Sequence, residues 1–100
     1  LLFHQRLTPE AARLLLTRGA NAQVHDTRGD ARDWSPVTYH ADLRRWSTAL
    51  ALLEAGVPRD HGTPPGSVLT RVLKNGAART SNEERADSTY IAFMAAVARP

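Results

Sequence analysis

The stretch S-P-V-T-Y-H-A-D-L-R-R-W-S-T-A-L-A-L-L-E-A-G-V, residues Ser35–Val57, decides how this chain folds. Ser35 is a helix-capping residue type and Pro36 suits the first position of a helix, so a short helix is predicted to begin here. Apolar residues then recur with helical spacing over Trp46–Ala55. Gly56 follows, and glycine after such a segment is typical of a helix end because it tolerates positive φ. The stretch therefore predicts two short helices joined by a turn.

Part of this pattern also occurs upstream. The segment L-L-L-T-R-G-A at Leu14–Ala20 matches A-L-L-E-A-G-V at Ala51–Val57, and their glycines, Gly19 and Gly56, stand 37 positions apart. Repeats with a period of about 20–50 residues are typical of solenoids, in which each helix pair is covered by its neighbours. The internal repeat therefore indicates stacked helix pairs.

The residues before the stretch predict one helix and one polar loop. Thr8 and Pro9 repeat the cap-and-proline start, so a helix is expected over Glu10–Arg18. Asn21–Asp33 has no helical periodicity, and Asp26–Gly29 within it has turn chemistry, so we expect an extended, hairpin-like loop. The buried face of the helix is predicted to comprise Ala11, Leu14, Leu15 and the stem of Arg18, with Leu16 packing on a flank.

Two further helices are predicted after a loop rich in proline and glycine. Ser67 is expected to cap a helix over Val68–Asn75. Ser81 and Glu84 match a capping box, which predicts a last helix over Asn82–Ala98. Because no segment alternates apolar and polar residues as a strand does, the predicted fold class is all-α, with an irregular C-terminal helix pair.

The composition excludes several classes of protein. Of the 100 residues, 42% are hydrophobic and none is cysteine, so disulfides and cysteine-ligated zinc are excluded. The net charge is +3, and no block of five basic residues suggests a nucleic-acid-binding arm. No apolar run approaches the roughly 18 residues of a membrane span. With no visible signal segment either, a cytoplasmic or nuclear location and no membrane partner are expected.

Ser35–Val57 and its neighbours resemble the ankyrin repeat. That unit has about 33 residues, a Thr-Pro start, two antiparallel helices, a Leu-Leu segment before Gly-Ala, and a hairpin finger. Here a Ser-Pro pair stands in place of Thr-Pro, and Leu52–Val57 matches the end of the second helix. Gly19–Ala22 and Asp26–Gly29 resemble the start and the tip of a finger. The resemblance is strongest over Thr8–Val57.

Three residues of the stretch differ from those that the repeat uses. Thr38 replaces a histidine whose hydrogen bonds join neighbouring units, His40 replaces a small buried alanine, and Arg44 replaces the glycine between the helices. Because its helix is expected to bury it, His40 is predicted to be a hydrogen-bonded structural histidine.

The resemblance implies one ankyrin-like domain, a short solenoid of stacked helix-turn-helix pairs. Residues 1–33 would be a partial repeat with its finger, 34–62 a near-intact repeat, and 63–100 degenerate capping helices. The chain begins Leu-Leu-Phe rather than with methionine. We therefore expect a fragment of a longer protein, in which preceding repeats or another surface cover Leu1–Phe3.

The resemblance also implies a non-catalytic protein–protein interaction module without a cofactor, whose partner is another protein or another domain of the same chain. The finger and the first helix line the concave face of such repeats. Aromatic residues and arginine dominate binding hot spots, which adds Arg45. Trp46 is expected in the core. For Trp34 the sequence leaves two alternatives, a core residue or a residue of the contact surface. The predicted partner-binding residues are His25, Arg28, Asp30, Arg32, Asp33, Trp34, Tyr39, Asp42 and Arg45.

Two other classes of function are kept as alternatives. The first is a small basic helical domain that binds nucleic acid through Arg28, Arg32, Arg44 and Arg45, with an affinity that falls steeply with salt. The second is an enzyme fragment whose active site lies outside these residues.

Short motifs within the chain carry little specific chemistry. No pair of histidines has the spacing of paired metal ligands, so the histidines other than His40 are interpreted as solvated loop residues. The tripeptide Arg28-Gly29-Asp30 matches a cell-adhesion motif, but the predicted turn needs its glycine in any case.

Overall fold

The computed structural model describes residues 2–25 and 33–99. Within these residues the chain forms six α-helices and no β-strand, which confirms the predicted all-α class. A 3-10 helix (Ala77–Arg79) stands between the fourth and the fifth. The helices are α1 (Pro9–Thr17), α2 (Pro36–Asp42), α3 (Trp46–Glu54), α4 (Ser67–Gly76), α5 (Asn82–Ala86) and α6 (Ser88–Ala98).

Three helices begin where local capping signals predict. The Thr8 hydroxyl accepts a hydrogen bond from the Ala11 N–H at 3.1 Å, ahead of α1. The Ser35 hydroxyl does the same for the Val37 N–H at 3.1 Å, ahead of α2. A capping box with Ser81 at its start opens α5. These side chains satisfy N–H groups that have no partner within the first turn of a helix.

Positive φ angles occur after α1, after α3 and in the turn between α2 and α3. Gly19 (φ 94°) follows α1 and Gly56 (φ 97°) follows α3, as their positions after apolar segments predict. Arg44, in the turn between α2 and α3, has φ 58° and is the non-glycine residue with positive φ among those described. Glycine adopts such a left-handed backbone without steric cost, whereas other residues do not.

The left-handed backbone at Arg44 makes a testable prediction about two replacements. Both Arg44→Gly and Arg44→Ala remove the side chain, but only glycine adopts positive φ without steric cost. The glycine variant should therefore be more stable than the alanine variant by about 1 kcal/mol. Urea unfolding of the two variants measures this difference. An alanine variant as stable as the glycine variant would contradict the left-handed assignment.

The core lies around α3. This helix packs against α1, α2 and α6, and α2 packs against α4 as well. Leu52 and Ala49 of α3 are fully buried, as is Phe93 of α6. Trp46 is 9% exposed and belongs to the same cluster, which confirms that it is a core residue. The buried cluster consists of Leu2, Leu7, Ala12, Val37, Ala41, Trp46, Ala49, Leu52, Val57, Leu69 and Phe93.

The predicted buried face of α1 is partly wrong. Leu14 is 50% exposed, whereas Ala12 is fully buried. Leu15 and Leu16 are half-buried against the core. Since residues i, i+3 and i+4 share one face of a helix, Ala12, Leu15 and Leu16 form the face that meets α3.

The C-terminal region differs from the prediction at two points. Ser67 is the first residue of α4 rather than its cap, and the cap position is taken by Gly66, which has no side chain to accept a hydrogen bond. The predicted single helix over Asn82–Ala98 is divided at Asp87, whose φ of −68° and ψ of 133° are extended. The Asp87 carboxylate accepts hydrogen bonds from the N–H groups of Thr89 and Tyr90, so it ends α5 and caps α6.

The N-terminal segment is covered by the chain itself. Leu2 is 3% exposed, and Phe3 is half-buried against Tyr39, with ring centroids 5.6 Å apart in an edge-to-face arrangement. Leu2 is therefore buried by other residues of the chain, whereas Phe3 is covered in part. Leu1 lies outside the described residues.

None of the helices in the described ranges is long and apolar enough to cross a membrane.

Candidate partner-binding surface

His61 joins the two ends of the predicted finger. Its ring Nε2 donates to the Val24 carbonyl at 3.1 Å, on the side where the chain enters the finger. Its backbone N–H donates to the Asp33 carbonyl at 2.7 Å, where the chain leaves the finger. We call the site around these bonds, formed by Val24, His25, Asp33, Trp34 and His61, the finger base.

An exposed histidine stacks on this joint. The rings of His25 and His61 are nearly parallel, with centroids 3.7 Å apart and an interplanar angle of 21°. His25 is exposed and His61 is half-buried. Asp33, whose carbonyl accepts from the His61 N–H, is exposed, and the next residue, Trp34, is half-buried. Of these residues, tryptophan is the type that is enriched among the hot spots of protein interfaces.

Two hydroxyls hold the start of α2 against the next loop. The hydroxyls of Ser35 and Thr38 both donate to the Arg59 carbonyl, at 2.9 and 2.6 Å. Both residues are fully buried, so the bonds are shielded from water. Thr38 thus joins α2 to the following segment, although the ankyrin resemblance expects histidine there. The bonds also fix the chain directly after Trp34.

A buried histidine joins α2 to the preceding segment. His40 is fully buried, and its Nε2 donates to the Leu2 carbonyl at 2.8 Å. This confirms the prediction of a hydrogen-bonded structural histidine. Its Nδ1 is also buried and has no hydrogen-bond partner. Tyr39 packs edge-to-face on His40, with centroids 5.0 Å apart, and is half-buried.

The remaining predicted contact residues make intramolecular bonds. Asp42 forms an ion pair with Arg79 of the 3-10 helix at 3.6 Å. The guanidinium of Arg45 donates to the Gln5 carbonyl. Asp42 and Arg45 therefore contact opposite neighbours of α2, the C-terminal and the N-terminal segment. Neither is among the residues that form the finger base.

Part of the predicted surface lies outside the described residues. This applies to the finger tip over Asp26–Gly29, to the tripeptide Arg28-Gly29-Asp30 and to Arg32. Of the nine predicted partner-binding residues, the structure joins His25 and Asp33 through His61, and Trp34 directly follows Asp33 in the chain. Tyr39 lies on α2 towards Phe3.

Sequence reasoning missed the roles of two neighbouring residues. The prediction of a solvated loop histidine at His61 is wrong, because His61 is half-buried and joins the finger ends. Asp60 is 4% exposed, and its carboxylate accepts from the N–H groups of Gly62, Gly66 and Leu69 at 2.8, 3.0 and 2.8 Å. It thereby caps α4 from outside the helix. The faint repeat pattern in D-H-G-T-P at positions 60–64 was the available signal.

The described residues hold no cluster of three or more His, Cys, Asp or Glu side chains that would suit a metal ion. The stacked pair of His25 and His61 has no such third ligand within residues 2–25 and 33–99.

Comparisons of the chain with protein-family models, with curated proteins and with solved structures find no match.

Proposed function

We propose that this chain is an ankyrin-like interaction module that binds another protein through its finger and the adjoining face of α2. The observation that carries the proposal is the bond pair of His61, which ties Val24 and Asp33 to one residue of the following loop. A loop whose two ends are held this way loses less conformational entropy when it meets a partner than a freely hinged one.

The helix packing supports a stack of repeated units. Helix α3 contacts α1 on one side and α6 on another, and α2 contacts α4. In a stack of helix pairs, α1, α3 and α6 would be the second helices of successive units, and α2 and α4 the first helices. Each unit would then contact its neighbours, which is the packing of a solenoid.

Buried hydrogen bonds between neighbouring segments support the same arrangement. His40 donates to the Leu2 carbonyl and the Thr48 hydroxyl donates to the Leu7 carbonyl at 3.0 Å, both towards the preceding segment. Ser35 and Thr38 donate towards the following one. Buried polar groups need partners, and here those partners hold successive units in register.

The arginines weigh against nucleic acid as the partner. The Arg44 guanidinium pairs with Glu84 at 3.4 Å and also donates to the Arg79 carbonyl. Arg45 donates to the Gln5 carbonyl. A phosphate would have to compete with these contacts, so a protein partner is favoured.

Capture of a partner from nuclease-treated extract of the source cells tests the proposal. The wild-type chain should enrich a protein, and His25→Ala and Trp34→Ala should each weaken its capture at least about tenfold. His25 is exposed, so its variant should fold even if the tryptophan variant is destabilised. The matched control is Arg71→Ala, at an exposed residue of α4, which should capture as wild type does.

Three outcomes would contradict the proposal. They are capture that disappears on nuclease treatment, equal capture by wild type and both finger-base variants, and binding to nucleic acid that collapses at moderate salt.

A further inference from the structure

A cavity opens between α4, the 3-10 helix, α5 and α6. Its volume is about 440 Å³, within the range of about 300–1,000 Å³ that small-molecule sites occupy. Four helical elements and the side chain of Trp46 surround it, so it is a concave site rather than a flat patch. The residues that line it are Trp46, Thr70, Leu73, Lys74, Ala77, Thr80, Arg85, Tyr90, Met94, Val97 and Ala98.

The interior of the cavity is apolar and aromatic. Trp46 and Tyr90 meet edge-to-face, with ring centroids 5.0 Å apart. Leu73 from α4 and Met94 and Val97 from α6 line the opposing walls, and all three are half-buried. These side chains are packed on one side and open to the cavity on the other. Covering them with an apolar group is favourable, because it removes apolar surface from water.

The charged residues that line the cavity are both cations. Lys74 and Arg85 are exposed, and no Asp or Glu is among the lining residues. Arg85 donates one hydrogen bond, from Nη2 to the Ala77 carbonyl at 2.7 Å, and has further N–H groups to offer. Within the described residues, Lys74 forms no ion pair.

The lining hydroxyls are less suited to hold an anion. Thr70 donates its proton to the Gly66 carbonyl at 2.9 Å, and Thr80 donates to the Gly76 carbonyl at 3.1 Å. Each hydroxyl has one proton, so neither has a second to offer. Anion recognition at this cavity therefore falls to the ammonium of Lys74 and the guanidinium of Arg85.

We propose that this cavity binds an unbranched aliphatic monocarboxylate, with its chain against Trp46, Leu73 and Met94 and its carboxylate at Lys74 and Arg85. An apolar body matches the walls, and a carboxylate head group matches the cations at the edge. The site is separate from the finger base, so this inference goes beyond the proposed function.

Titration with decanoate tests the inference through the fluorescence of Trp46. The chain has two tryptophans, so the variant Trp34→Phe leaves Trp46 as the single reporter. Decanoate, kept below its micelle concentration at neutral pH, should change the Trp46 emission with a dissociation constant on the order of 10–100 µM. Each methylene removed from the fatty acid should weaken binding roughly fourfold. Decanol, which has the same chain without the charge, should bind at least about tenfold more weakly than decanoate.

Paired variants separate recognition of the anion from general charge effects. Lys74→Gln should weaken decanoate at least about fivefold and leave decanol unchanged. Arg71→Gln removes an exposed cation of the same helix that does not line the cavity, so it should leave both ligands unchanged.

Four results would overturn the inference. They are no response to decanoate, equal affinity for decanoate and decanol, equal losses from Lys74→Gln and Arg71→Gln, and a response to an acidic amphipathic peptide only. The last would make the cavity a peptide site.

Discussion

Replacement of Asp60 by alanine is expected to lower the free energy of unfolding by about 3–4 kcal/mol. The Asp60 carboxylate is 4% exposed and accepts three backbone N–H groups, from Gly62, Gly66 and Leu69. Each buried donor left without an acceptor costs about 1–3 kcal/mol, although water can reach part of this loop in the variant. A loss of this size is a large fraction of the 5–15 kcal/mol that stabilises a typical domain.

Urea unfolding followed by far-UV circular dichroism measures this loss. Asp60→Asn should lower the free energy of unfolding by less, about 1–2 kcal/mol. Its amide oxygen still accepts backbone N–H groups, but its NH₂ group is a donor and cannot accept the N–H that it faces. The matched control is Glu54→Ala, at the exposed last residue of α3, which should stay within about 0.5 kcal/mol of wild type. If Asp60→Ala unfolds at the same urea concentration as the control, the carboxylate does not stabilise the start of α4 through its hydrogen bonds.

Acid should destabilise the fold through His40 by about 3 kcal/mol between pH 6.5 and pH 4. Burial lowers the pKa of His40 from 6.5 to about 4; the hydrogen bond to the Leu2 carbonyl opposes this shift and the charge of Arg45 adds to it. The folded state therefore binds fewer protons than the unfolded state in this interval. The neutral ring contributes its full stability above pH 6.5, and that contribution is lost as the pH falls towards 4.

The geometry explains why the charged ring is excluded. The neutral tautomer places its proton on Nε2, towards the Leu2 carbonyl at 2.8 Å. A second proton would go to Nδ1, which is buried and has no partner. The fold would then hold an unpaired buried charge, which is costly in any protein interior.

Variants isolate this contribution from the other titrating groups. The amide of His40→Gln offers an N–H to Leu2 but does not titrate, so its free energy of unfolding should change less than that of wild type between pH 6.5 and 4. His4→Gln, at an exposed histidine, should keep the pH dependence of wild type. Parallel curves for wild type and His40→Gln would contradict the assignment.

Local signals in the sequence predicted most of the fold. Thr8, Ser35 and Ser81 each cap the helix that follows, and Gly19 and Gly56 each have positive φ. Such features depend on a few adjacent residues and on the apolar spacing behind them. They sufficed for the all-α class, for the start of α2, and for the bounds of α1 and α3 to within one residue.

The predictions that were wrong concern features that depend on contacts between distant segments. Leu14 and Ala12 are both compatible with a buried face, and only the approach of α3 decides that Ala12 is the buried one. Similarly, α4 is capped by Asp60, which lies outside the helix, instead of by the nearby Ser67. Capping rules that consider only the residues beside a helix cannot anticipate such a partner.

The candidate site was predicted only in part, again because some of its contacts join residues that are distant in the sequence. His25, Asp33 and Trp34 were selected from the expected position of the finger. His61 was not, because its partner Val24 lies 37 residues away and no local pattern marks a histidine that bonds to a distant carbonyl. His40 was expected to be buried and hydrogen-bonded, but its partner, the Leu2 carbonyl, depends on how the N-terminal segment folds back.

Photo-crosslinking from the finger base tests the central claim most directly. A photoreactive amino acid would replace the exposed His25 in one protein and the exposed Arg71 of α4 in another, and both would be irradiated in extract of the source cells. A module that binds through its finger should form an adduct with one partner protein from position 25 and none from position 71. The same adduct from both positions, or crosslinks to nucleic acid alone from position 25, would contradict the account.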